Sequence, residues 1–266
     1  MAAGVYLYCL ARAGRLPALD GIGLEKGSPL NLKTCGDIAA VWSPVTLEEF
    51  CGEEAPARLK DLNWIGPRVC RHQGVVEEVM RHSPVLPARF GTIFSSPERL
   101  EETIRQHRQA ISRFLDRVTG REEWAVKGLL NRSRAREEFI AAHLGRQAET
   151  LAALTPGRRY FQEHLMRHQA EQDLCRWLKD ACREVLLALK GHVRQVREHR
   201  LWSPDSLDAG QEMIVNWAFL VDRGQAAAFA AQIAAANVRG ERWGLAFEIT
   251  GPWPPYSFCP ALTSEA

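Results

Sequence analysis

The sequence predicts an α+β protein of two domains. In the first half, β-branched and aromatic runs alternate with two amphipathic helical tracts. The second half reads strand, long helical tract, strand, strand, Ala-rich helix, strand. That order, β-α-β-β-α-β, is the split βαβ pattern of ferredoxin-like sheets, here with an enlarged helical first crossover. The third observation is internal to that pattern. The expected central strand, "MIVNWAFLV", is apolar, whereas the expected edge carries Arg194, Arg197, Glu198, His199 and Arg200. Charged edges resist unwanted pairing. The 266 residues suit two ordinary domains, which we place at residues 1–118 and 119–266.

The elements follow in order. "VYLYCL" (Val5–Leu10) is a strand. Leu30–Cys35 and Ile38–Ser43 flank Gly36-Asp37, a hairpin signature. In "NWIGPRVCRHQGVVEEVMRH", Ile65, Val69, Val76, Val79 and Met80 recur at helical spacing, with Pro67 near the first turn. "PVLPARFGTIF" (Pro84–Phe94) reads as a strand, with Leu86, Ala88, Phe90 and Phe94 on one face and Arg89 on the other. Ser96 then caps a helix that runs from Pro97 to about Val118.

Glu123–Leu130 opens the second domain as a strand. Thr155-Pro156-Gly157 divides the helical tract that follows into helices over about 133–154 and 158–193. A short polar strand ends near Trp202, and 203–210 is a loop. Glu212–Asp222 is an apolar strand, an Ala-rich helix closes near Gly240, and Arg242–Gly251 is the last strand.

Composition narrows the function. The net charge is +2 and the pI about 8.2, below the footprint of a nucleic-acid-binding domain. No apolar run approaches membrane-spanning length, and the N-terminus lacks the features of a secretory signal. Seven cysteines stand at positions 9, 35, 51, 70, 175, 182 and 259 without a CxxC. A reduced, cytoplasmic setting is expected. Cys175 and Cys182, seven apart on a helix, read as packing residues; Cys70 and His72 lack a second pair of zinc ligands.

Neither a phosphate-binding glycine loop nor a hydrolase or zinc-protease motif occurs. The expectation is no catalytic residue, no metal and no cofactor. His72 lies on the apolar face of its helix and has no nucleophile, ligand or carboxylate partner by spacing, so it reads as a buried, hydrogen-bonded structural histidine. The adjacent carboxylates at 77–78, 101–102, 122–123 and 137–138 read as solvated surface. Arg132, Arg134 and Arg136 could meet an acidic partner or phosphate, and read first as a solvated helix start.

Two segments are candidate interaction surfaces. The helix from Arg159 carries a near-heptad stripe that includes Phe161, Leu165, His168, Cys175, Leu178, Cys182, Val185, Leu186 and Leu189. It reads first as core packing and second as a partner-binding face. Near the C-terminus, "GPWPPYSF" (Gly251–Phe258) packs three prolines among Trp253, Tyr256 and Phe258. Such a strap can be a proline-rich ligand, a docking surface or an intramolecular latch at a sheet edge. The latch is the preferred reading, with Trp253 as its anchor.

The ordered segments "GVYLYCL", "GDIAAVWSPV", "NWIGPRVCRHQGVVEEVM", "LPARFGT", "GREEWAVKGLL", "FLVDRGQAAAF" and "GPWPPYSF" together resemble the gas vesicle synthesis proteins GvpF and GvpL over nearly the whole chain. "LPARFGT" and "GPWPPYSF" are the most specific of them. The resemblance implies two α+β domains, the second a modified ferredoxin-like fold. It also implies a non-enzymatic accessory or minor structural role in gas vesicle assembly. Expected partners are the amphipathic shell protein and other accessory proteins, not nucleic acid or membrane, at a cytoplasmic or shell-associated location. The rivals are a generic protein-interaction scaffold and a small-molecule enzyme on a ferredoxin-like sheet. His72 and Arg89 near one pocket, with a polar third group, would favour the enzyme.

Overall fold

The computed structural model describes residues 3–17, 19, 21–25, 27–201 and 210–262. The expected strand end near Trp202 and all of the 203–210 loop except Gly210 lie outside the described residues. The fold is α+β with two antiparallel sheets. By contacts the chain forms two compact units, Met1–Glu123 with Pro252–Ala266, and Trp124–Gly251. From Pro252 onward, the C-terminal strap therefore belongs with the first unit. Proximity in sequence had assigned it to the C-terminal domain, but its side chains find their partners among residues of the first.

In the first unit, β1 (Ala3–Arg12) is flanked by β3 (Ile38–Thr46) on one side and by β4 (Val85–Pro87) and β5 (Ile93–Phe94) on the other. The outermost strand, β2 (Asn31–Cys35), pairs with β3. β1 is buried from Gly4 to Ala11, which explains its unbroken apolar run. The β2–β3 hairpin closes on Gly36 at φ +66° with Asp37 beside it, the positive-φ first position of a II′ turn. Asp37 ties this turn inward. It accepts from Arg12 of β1, and from Arg108 and Ser112 of α4 (Pro97–Val118). The hydrogen bond from Arg108 is the main cause holding its carboxyl below the usual range.

Two short helices that the sequence reading did not resolve, α1 (Leu47–Cys51) and α2 (Ala55–Arg58), precede α3 (Leu62–His82). Asp61 caps α3 by accepting from Asn63 N–H, and Ser96 caps α4 by accepting from Arg99 N–H. Pro67 lies inside α3, so one intrahelical hydrogen bond is missing there. The buried face of α3 is His72, Val75, Val76 and Val79, whereas Val69 is exposed.

The expected strand Pro84–Phe94 is broken into β4 and β5. Pro87 has no N–H for the ladder, and Gly91 takes φ +82°. Between the two strands the chain turns around a buried polar chain. Gly91 N–H donates to the Tyr6 hydroxyl at 3.3 Å, and that hydroxyl meets His72 Nδ1 at 2.8 Å. His72 Nε2 meets the Ala88 carbonyl at 3.1 Å. A carbonyl only accepts, so the proton is on Nε2 and Nδ1 accepts from Tyr6. Burial holds the imidazole down at about 4. The structural reading of His72 thus agrees with its surroundings, and Tyr6 is the partner that spacing could not reveal. Tyr6, Tyr8, Phe50, His72 and Phe90 form the ring cluster at this core.

In the second unit, the sheet order is β7 (Val193–Glu198), β8 (Gln211–Asp222), β6 (Arg121–Asn131), β9 (Leu245–Trp253). β6 and β8 are central, and the charged β7 is an edge. The first crossover contains α5 (Arg132–Arg146), α6 (Ala148–Ala152) and α7 (Pro156–Leu189), the first two separated by a break at Gln147 that the sequence did not signal. The second crossover is α8 (Ala226–Gly240). Val215, Trp217, Phe219 and Val221, alternate residues of β8, pack with Phe229 and Ile233 of α8 and with Leu174, Val185 and Leu189 of α7. Of the arginines expected to be solvated, Arg132 pairs with Glu212 and Arg136 with Glu171.

Candidate interaction surface

The stripe along α7 divides. Its C-terminal half behaves as core: Leu178, Cys182 and Leu186 are partly buried against the cluster that contains Val185 and Leu189. Cys182 packs there, and burial raises its thiol to about 11. Cys175, expected on the same packed face, is exposed.

The N-terminal half differs. Every residue from Pro156 to Phe161 is exposed, and Met166 is the first fully buried side chain of the helix. Thr155 and Pro156 explain why a helix starts here: Thr155 is extended at the cap position, and Pro156 needs no N–H partner in the first turn. The helix end leaves Tyr160 73%, Phe161 71% and Leu165 54% exposed. Phe161 and Leu165 are four residues apart and share a face. Arg158, Arg159, His164, Arg167 and His168 surround them in the sequence. An apolar face rimmed by polar groups is the usual form of a protein-binding patch.

The strap is built differently from its expected form. Its first residues, Gly251 to Trp253, complete β9, and Tyr256–Phe258 make a short 3-10 turn. Trp253, the expected anchor, is 40% exposed. The anchor is Phe258, which is 2% exposed, together with the buried Pro254 and Pro255. The correction has a simple cause. Strand geometry carries through Pro252 and Trp253 at a sheet edge, and Pro254 and Pro255 turn the chain inward only after them.

Polar contacts hold the turn in place. The Tyr256 hydroxyl donates to Gln73 Oε1 at 3.1 Å, Arg117 donates to the Phe258 carbonyl at 2.8 Å, and the Cys259 thiol contacts the Pro87 carbonyl at 3.7 Å. Ser257 bonds Glu123 through both its N–H and its hydroxyl. Glu123 is only 6% exposed, and burial pushes its carboxyl up. Doublet spacing had placed it on the solvated surface; no local signal identified Ser257 as its partner. The six candidate residues therefore fall into three groups. Tyr256 and Phe258 serve the latch, with Trp253 beside it. Phe161 and Leu165 form the exposed patch, and Leu178 belongs to the core.

His72 is buried with both ring nitrogens engaged, whereas Arg89 is exposed. Among the described residues no group of three or more His, Cys, Asp and Glu side chains could hold a metal ion, and no helix is long and apolar enough to cross a membrane.

The sequence pattern of the gas vesicle synthesis protein GvpL/GvpF family matches residues 4–260. The chain is 30% identical over 265 residues to gas vesicle protein L of Streptomyces sp. (strain CB03234), covering 95% of this chain and 91% of that protein. It is 25% identical over 190 residues to gas vesicle protein F1 of Halobacterium salinarum, covering 70% and 66%. Its fold is similar to that of GvpF from Anabaena sp. PCC7120, with a TM-score of 0.72 at 18% identity over 97% and 98% of the two chains. GvpF from Microcystis aeruginosa gives a TM-score of 0.67 at 19% identity over 97% and 99%.

Proposed function

Because the chain belongs to the gas vesicle synthesis protein GvpL/GvpF family, whose members act in gas vesicle formation, we propose that it is a non-enzymatic assembly factor or minor structural component working in the cytoplasm or at the vesicle shell. In this reading it binds the apolar shell subunit, or accessory proteins that deliver it, through the end of α7. The observation that carries the proposal is the pair Phe161 and Leu165, 71% and 54% exposed on one helix face. A shell subunit with a large apolar face aggregates in water until it is assembled. A partner with its own apolar helix face can cover that surface by side-chain packing, with no catalysis needed. The order β7-β8-β6-β9 supports reading the second unit as a modified ferredoxin-like domain, in which the enlarged first crossover carries the docking helix.

The test is complementation of a deletion strain. The intact gene restores vesicles. Phe161→Glu/Leu165→Glu leaves the melting temperature within a few degrees, as expected for exposed positions, yet loses co-purification with vesicle proteins and gives absent or misshapen vesicles. Normal flotation with the double variant removes α7 from the proposal. Normal flotation without the gene removes the assembly role itself.

A further inference from the structure

Among the described residues, the second unit's sheet ends at β7, which pairs with β8. The antiparallel register sets Gln195 opposite Leu220 and Arg197 opposite Ala218, and His199 N–H donates to the Asn216 carbonyl at 2.8 Å. Backbone groups alternate in such a ladder. Those of Gln195, Arg197 and His199 face β8, and those of Val196 and Glu198 face outward. Every side chain from Arg194 to Arg200 is exposed, with Val196 at 50%. A strand with one free edge and both faces uncovered is a template for another strand.

Charge decides which strand it accepts. From Lys190 to Arg200 the chain places Lys190, Arg194, Arg197 and Arg200 against a single carboxylate, Glu198. Arg194 is engaged by Asp222 at 2.8 Å. Among the described residues, the guanidinium groups of Arg197 and Arg200 have no hydrogen-bond or ion-pair partner. A second copy pairing edge to edge would bring together two segments of the same net positive charge, and like charges repel. A strand bearing carboxylates gains from the same groups.

We propose that the outer edge of β7 receives an extended acidic segment of a partner protein as a fifth strand. Side chains alternate along the strand, so the guest's carboxylates meet Arg197 on one face and an apolar side chain packs on Val196 on the other, while Arg200, just past the end of β7, adds to the positive field. A polynucleotide would satisfy the charges but not the outward N–H and C=O groups of Val196 and Glu198, which only another backbone matches. This edge is separate from the apolar end of α7, and the inference does not depend on the vesicle role.

The probe is an acetylated, amidated peptide of about ten residues, the length of a long natural strand, alternating Glu with Val and Thr. Controls are the same peptide with Lys for Glu, the peptide N-methylated along one edge or along both, and oligothymidylate of matching length. The full chain is titrated calorimetrically at low salt, and amide exchange is followed across residues 193–200. Only the acidic peptide with at least one edge unmethylated should bind, and it should slow exchange at Val196 and Glu198. Arg197→Glu/Arg200→Glu should weaken it by about tenfold or more, since each tenfold step is a modest loss of charge pairing. Val196→Pro, which removes an outward N–H without touching the β8 ladder, should do the same. If either variant melts early, Arg197→Gln/Arg200→Gln carries the test. Three results would overturn the proposal: no binding at millimolar peptide, equal binding of a peptide methylated on both edges, or binding of the oligonucleotide with the acidic peptide silent.

Discussion

Ser257 and Glu123, 134 positions apart in the chain, are joined by two hydrogen bonds, from the Ser257 N–H at 2.9 Å and from its hydroxyl at 2.6 Å. The first ties down the strap's backbone and the second its side chain, so one buried carboxylate fixes the path of the C-terminal segment. Leaving buried donors unpaired costs about 1–3 kcal/mol. Glu123→Ala should therefore lower stability by about that much, and Glu123→Ala in a Ser257→Ala background should cost less. A double-mutant cycle by chemical denaturation measures the coupling.

Phe258 and Trp253 should respond in the reverse of their size. Phe258 is 2% exposed and Trp253 is 40% exposed. Truncating a buried phenylalanine costs about 3–5 kcal/mol, so Phe258→Ala should lower the melting temperature sharply. Trp253→Ala should cost less than Phe258→Ala, because a large part of its ring is already solvated. Thermal unfolding of the two variants side by side decides the point.

His72 makes stability pH-dependent in a defined window. Its folded pKa is depressed to about 4 from 6.5, chiefly by burial. The neutral ring's contribution is therefore fully present above pH 6.5. It declines as pH falls, because the unfolded chain takes up the proton first, and is lost by about pH 4. The full effect is on the order of 3 kcal/mol. Glu123 works in the opposite sense. Its carboxyl is raised by burial, so its contribution is greatest at low pH and shrinks as pH rises past the ordinary carboxylate value. Denaturation from pH 7 to 4 should show a decline that His72→Gln flattens.

Gly91 holds the turn between β4 and β5 at φ +82°. A side chain in that region costs about 1–2 kcal/mol, and the turn presents Gly91 N–H to Tyr6. Gly91→Ala should destabilise by about that amount. Tyr6→Phe should cost more, because it leaves both Gly91 N–H and buried His72 Nδ1 without their partner. Equilibrium unfolding of both variants gives the comparison.

Much of the fold was legible because it is written in local patterns. The Gly36-Asp37 hairpin, the Ser96 cap, the break at Thr155-Pro156 and the apolar β8 between weaker neighbours each follow from residue chemistry within a few positions. The segments "LPARFGT" and "GPWPPYSF" identified the family for a related reason: both are short, dense in residues with strong backbone preferences, and distinctive as text. Their architecture was a different matter. Alternation read Pro84–Phe94 as one strand, since it cannot show that Tyr6 and His72, distant in sequence, draw the backbone out between Pro87 and Ile93. Periodicity found the α7 stripe but could not say that Leu178 meets a core while Phe161 and Leu165 do not, because burial depends on whether another element lies opposite. Side-chain size named Trp253 as the anchor, whereas the turn after it buries Phe258 instead. Glu123 looked like surface until Ser257 came to it across 134 positions. Local composition determines which elements form and where they begin. Which of their faces is covered, and which buried polar groups find partners, is decided by contacts between residues far apart in the chain, and those exist only once it has folded.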